Sequence, residues 1–94
     1  MAEALTVQHD AAAQQFRVQL GNDVALLQYR RLDATLDLHH TEVPPAFRGR
    51  GIAEQLCRAA FEYAKEQQLK VVPSCPYIAG TYLKRHPEYE PLTR

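Results

Sequence analysis

Val43-Pro44-Pro45-Ala46-Phe47-Arg48-Gly49-Arg50-Gly51-Ile52-Ala53 is the stretch on which the reading of this chain turns. On its N-terminal side an alternating, strand-like run over 35–43 is stopped by two prolines, which cannot donate to a sheet ladder. On its C-terminal side, from Gly51 to about Gln67, the period changes to that of a helix. Ile52, Ala53, Leu56, Cys57, Ala60, Tyr63 and Ala64 fall on one arc; Glu54, Gln55, Arg58, Glu62, Lys65 and Glu66 fall on the other. A glycine-rich loop that opens a helix is an anion site in waiting. The first-turn N–H groups have no partners within the helix, and the helix dipole adds positive charge there. Gly49 and Gly51 let the backbone approach a phosphate closely, and Arg48 and Arg50 can add charge-assisted contacts. Read as a motif alone, the loop is as compatible with a solvated turn, and a weaker third reading makes 48–53 a generic phosphate or RNA contact.

Working outward, residues 5–9 and 15–20 read as strands, the second placing Phe16, Val18 and Leu20 on one face. Gly21-Asn22-Asp23 supplies a hairpin turn, strand three runs from Val24 to about Arg31, and strand four follows a turn near Asp33. Downstream, 69–72 is a short apolar strand, expected to lie parallel to strand four through a crossover helix. Pro76 suits the first position of a second helix with Cys75 as its N-cap, and His86 before Pro87 marks its end. The expected fold is α+β: a mixed five-stranded sheet, an antiparallel meander plus one parallel strand, with two helices.

The chain has 94 residues, enough for one domain with a single core. Eleven basic residues balance eleven acidic ones, which disfavours bulk binding to nucleic acid. The N-terminus lacks the zones of a secretory signal, and no apolar run approaches the roughly 20 residues that span a bilayer, so the expected location is the cytoplasm, or the nucleus in a eukaryote, with no membrane partner. Two cysteines in such a chain are expected as thiols.

The run Arg48-x-x-Gly51-x-Ala53, followed by Leu56, resembles the cofactor-binding segment of the GNAT superfamily of N-acetyltransferases, Gln/Arg-x-x-Gly-x-Gly/Ala. His40-Thr41-Glu42-Val43-Pro44 upstream and Ser74-Cys75 ahead of Tyr77 resemble its short YjdJ-type branch, and the likeness covers residues 36–92. The resemblance implies a minimal GNAT-like fold and an acetyl-CoA cofactor. It places pantetheine near Glu42 and Val43 and pyrophosphate on the backbone from Arg48 through Gly49, Arg50, Gly51 and Ile52 to Ala53. The expected reaction is acetyl transfer to a primary amine, on a small molecule or a protein. A non-enzymatic CoA-binding or interaction module is the alternative.

Larger members continue with two more strands, whereas here few residues follow Pro87. That implies an open acceptor side, or one completed by a partner, and a sheet edge exposed enough to make either a monomer or a homodimer reasonable. Larger members also carry Asn near position 75, where this chain has Cys75. A cysteine at a helix N-terminus is biased toward thiolate, so Cys75 could accept the acetyl group or protonate the departing thiol; a small buried cysteine is the plain alternative. His40 is the candidate general base. Asp37 is the candidate base carboxylate, although strict alternation places it on the face opposite His40 unless a bulge intervenes. The resemblance makes Tyr82 a candidate proton donor to coenzyme A, with helix packing as the alternative, and Lys84 and Arg85 either favour the helix C-terminus or reach a CoA phosphate. His39, His40 and Glu42 have poor metal spacing, and no metal is expected.

Overall fold

The computed structural model describes residues 6–94. Five strands form one sheet in the order β1-β2-β3-β4-β5: β1 (Gln8–Asp10), β2 (Gln15–Leu20), β3 (Asp23–Leu32), β4 (Thr35–Glu42) and β5 (Lys70–Val72). The first four pair antiparallel and β5 pairs parallel to β4, with Leu36 opposite Val71. This is the expected mixed sheet. The first strand begins later than expected, at Gln8; position 5 lies outside the described residues.

Helix α1 (Ile52–Glu66) connects β4 to β5 and packs on one face of the sheet. Phe16, Val18, Leu20, Ala25, Leu27, Tyr29, Leu36, Leu38 and Val71 point toward it and are buried. Their partners are Ile52, Leu56, Cys57, Ala60 and Ala64 of α1, close to the arc read from the sequence. Phe61 is the addition: it is fully buried outside that arc. Its ring stacks at 5.6 Å on Tyr82 and 5.0 Å on Tyr89. The helix therefore buries two faces, one on the sheet and one on the C-terminal segment, and a single-arc pattern captures only the first.

The second helix, α2, spans residues 76–85. It contains a π turn over Ile78–Tyr82, in which the Leu83 N–H donates to the Ile78 carbonyl five residues back. A 3-10 segment, Pro87–Leu92, follows. Thr93 then bridges Val71, and the Arg94 N–H donates to the Val71 carbonyl at 2.9 Å, so the outer edge of β5 is covered there.

At the other edge, the His9 ring of β1 stacks on Phe16 (4.2 Å between centroids) and meets Tyr63 edge-on at 4.5 Å. The Tyr29 hydroxyl lies 2.6 Å from His9 Nε2, where a neutral imidazole accepts a hydrogen bond from it. Burial lowers the His9 pKa from its usual value of 6.5, against a smaller upward pull from Asp10. A lowered histidine pKa means that the unfolded chain binds the proton more readily, so stability is full above 6.5 and is lost as pH falls below it. Protection of the Phe16 and Arg17 amides, which face β1 in the register, is expected to fall between pH 7 and pH 5, relative to the intrinsic exchange rate at each pH, more in the wild type than in His9→Phe. Equal pH responses in the two would contradict this.

Candidate functional site

β4 carries the geometry that organises the site. Leu38 pairs with Tyr29 and His40 with Gln28, which leaves His39 as an extra, unpaired residue. This bulge flips the alternation. Asp37, His40 and Glu42 lie opposite Arg30, Gln28 and Leu26 of the uninterrupted β3, so all three share the face away from α1. The conflict between Asp37 and His40 is thereby removed. The same shift turns Thr41, opposite Leu27, toward the inner face, where the Cys75 thiol lies 3.6 Å from its Oγ1.

β4 also outruns its parallel neighbour. β5 ends at Val72, paired with Asp37, and the last bond to that side of β4 is the Cys75 N–H to the Leu38 carbonyl at 2.9 Å. Among the described residues, no strand pairs with this edge from His39 to Val43. The gap opens into a cavity of about 880 Å³. It is lined by His40 to Pro45 on the strand side, by Phe47, Arg48, Gly49 and Gly51 to Glu54 on the loop and α1 side, and by Tyr77 and Arg85 of α2.

The loop has the form that an anion site requires. Gly51 is the N-cap of α1 in the left-handed region (φ 76°), and Gly49 has φ 80°. A Cβ placed on either glycine would meet no protein atom within 4 Å, so the space that a side chain would fill stands open. Arg48 Nε donates back to the Val43 carbonyl at 3.1 Å, which ties the loop to the end of β4. Arg50 is not part of the lining; its guanidinium sits 5.3 Å from the centre of the Phe47 ring.

The cavity thus gathers His40, Glu42, Val43, Arg48, Gly49, Gly51, Ile52 and Ala53 from the residues singled out in the sequence. His40 and Glu42 also contact each other, Nε2 to Oε1 at 3.2 Å. Besides Arg50, four others lie elsewhere. Asp37 is outside the lining, and its Oδ1 is buried without a hydrogen-bond partner among the described residues, a costly state for a carboxylate oxygen. Cys75 is buried and reaches the cavity only through Thr41. It does hold the N-cap place, since its carbonyl accepts the Ala79 N–H. Tyr82 is buried in the stack with Phe61, Tyr89 and His86. Lys84 is exposed outside the lining.

In place of Tyr82 and Lys84, α2 presents Tyr77 and Arg85. In a regular α-helix eight residues overshoot two turns by roughly 80°, so these two would diverge around the helix. The wider π turn between them takes up much of that excess. Burial raises the Tyr77 pKa above its usual 10.0, so its hydroxyl remains a proton donor. Arg85 Nη1 donates to Glu54 Oε2 at 2.7 Å, and His86 Nε2 lies 3.3 Å from Glu54 Oε1. The Arg85 hydrogen bond, helped by His86, holds the Glu54 carboxyl below the usual carboxylate range. The helical period alone places Glu54 on the polar arc and gives no sign of these partners.

Cys57 and Cys75 are both free thiols, and burial pushes the Cys57 thiol far up, which keeps it neutral and inert. Among the described residues no group of three His, Cys, Asp or Glu side chains is placed to hold a metal ion, and no helix is long and apolar enough to cross a membrane.

Comparison with known proteins agrees with this geometry. A model of the GCN5-related N-acetyl-transferase family matches residues 15–92. Protein NATD1 of Xenopus tropicalis is 43% identical over 96 residues, covering 99% of this chain and 87% of the relative. Protein NATD1 of Homo sapiens is 42% identical over 93 residues, covering 96% and 81%. The NMR solution structure of a GCN5-like protein from Staphylococcus aureus superposes with a TM-score of 0.74 at 26% identity, over 96% of this chain and 88% of that one. With the matched segment running from β2 to the end of the 3-10 turn, through the loop and both walls of the cavity, the chain belongs to the GCN5-related N-acetyltransferase family.

Proposed function

We propose that this protein binds acetyl-CoA in the cavity beside β4 and transfers the acetyl group to a primary amine. The observation that carries the reading is the conjunction of an unpaired strand edge with an open glycine cradle at the start of α1. An amide-bearing chain can pair with the His39 to Val43 edge as an added strand, and phosphates suit the N–H groups of 49–53. Arg48, held by Val43, adds positive charge beside them. Bound there, acetyl-CoA supplies an activated thioester carbonyl.

The chain's own groups supply the proton handling. His40, steadied by Glu42, takes a proton from the acceptor ammonium so that its nitrogen can attack. Tyr77, which lines the cavity with Thr41, would give its proton to the thiolate released as the C–N bond forms and the C–S bond breaks, and the second proton lost by the nitrogen would restore the Tyr77 hydroxyl. Cys75, buried against Thr41, acts as packing that supports this edge.

Incubation with acetyl-CoA and a panel of amines, followed by mass spectrometry of both protein and acceptors, tests the reading. His40→Ala is expected to lower transfer by about 100-fold or more with cofactor affinity kept, as loss of a general base does. Cys75→Ala is expected to lower it by less than about tenfold, since its thiol does not face the cavity. Wild-type binding with no transfer to any amine would favour the second reading, a CoA-binding module, which the seclusion of Cys75 also fits.

A further inference from the structure

Glu54 poses a problem for any anion bound at the start of α1. It stands in the first turn and lines the cavity, where a carboxylate repels phosphate. Both of its oxygens are engaged from the opposite wall, Oε2 by Arg85 and Oε1 by His86, whose Nδ1 lies 3.5 Å from Glu88. Arg85 is 62% exposed and makes no other hydrogen bond among the described residues. A guanidinium has five N–H donors in a rigid fork, so the single bond to Glu54 leaves four free while it tethers one end of the fork at the cavity wall.

We infer that Glu54 is a positioning residue that holds Arg85 across the cavity from the α1 N-terminus, so that the free edge of the guanidinium grips a phosphate of the cofactor. The inference rests on the acetyl-CoA reading above. Anchored on a carboxylate, Arg85 gives up little side-chain freedom when the phosphate arrives, and the Glu54 charge is offset before it is felt. The two walls that close on the phosphate are then α1, through its backbone N–H groups, and α2, through Arg85.

The two roles open to Glu54 predict opposite signs. If it merely repels phosphate, Glu54→Gln tightens coenzyme A; if it positions Arg85, Glu54→Gln weakens it. Affinities for coenzyme A and for phosphate-free S-acetyl-pantetheine, measured by calorimetry on wild type, Glu54→Gln, Arg85→Ala and Arg85→Lys, decide between them. Arg85→Ala is expected to weaken coenzyme A about tenfold and to flatten its salt dependence. Glu54→Gln is expected to weaken it about three- to tenfold, with Arg85→Lys intermediate because a lysine cannot serve both partners in one plane. S-acetyl-pantetheine should bind all four proteins alike, which a merely structural lesion would not allow. Unchanged or tighter binding of coenzyme A by Glu54→Gln, or equal losses for both ligands, overturns the inference while leaving the cofactor reading intact. A wild type that binds neither ligand overturns the reading itself and the inference with it.

Discussion

Phe61→Ala should lower the unfolding free energy by about 4 kcal/mol, the cost of emptying a fully buried aromatic site. Phe61 is 0% exposed, and its ring holds the C-terminal segment to α1 through the stacks on Tyr82 and Tyr89. Tyr89 adds a 2.7 Å bond from its hydroxyl to Glu62, also on α1. Removing Phe61 leaves that segment with a void beneath it and takes away two aromatic contacts. A domain of this size is stable by roughly 5–15 kcal/mol, so the variant loses a large share of its margin. The expected midpoint in thermal unfolding falls by about 15–30 °C. A fall of less than about 5 °C would show that the second packing face of α1 contributes little. Phe61→Leu, which refills most of the volume, should lose much less.

Gly51→Val should weaken acetyl-CoA binding by about 30- to 100-fold while leaving a folded protein. Gly51 sits at φ 76° as the N-cap of α1, and a β-branched residue there carries of order 1–3 kcal/mol of strain. No protein atom opposes the new Cβ, so steric exclusion falls on whatever occupies the cradle. Strain alone relaxes the turn, and bulk alone blocks it; both act against the same ligand. Gly51→Ala separates them, because it carries most of the strain and little of the bulk. Calorimetric titration with acetyl-CoA measures both variants, and circular dichroism confirms that α1 persists. If Gly51→Val bound acetyl-CoA as the wild type does, the loop would not be the phosphate site.

The glycine loop and α1 were legible in the sequence because their determinants are local. Pro44 and Pro45 stop one period, Gly51 starts another, and Ile52, Leu56, Cys57, Ala60 and Ala64 keep the 3.6-residue spacing to its end. The meander was legible for the same reason, through alternation and turns. The bulge at His39 was not fixed by the sequence, since two adjacent histidines give no apolar mark of where the alternation slips; only the Asp37 and His40 conflict hinted at it. The π turn was hidden more completely. It is a tertiary adjustment that buries Tyr82, which the family resemblance had put forward, and turns to the cavity Tyr77, which no local pattern marks, together with Arg85, which the sequence offers only alongside Lys84. Glu54 looked like one more solvated charge because its partners, Arg85 and His86, lie more than thirty positions away.

The most direct test is a titration of the isotopically labelled protein with acetyl-CoA, followed by backbone amide chemical shifts. The largest shifts are expected at Gly49 to Ala53 and along Thr41 to Val43, with saturation at micromolar cofactor and a matching rise in the thermal midpoint. Shifts absent from both segments at millimolar acetyl-CoA, with no change in the thermal midpoint, would contradict the assignment of this cavity as the cofactor site.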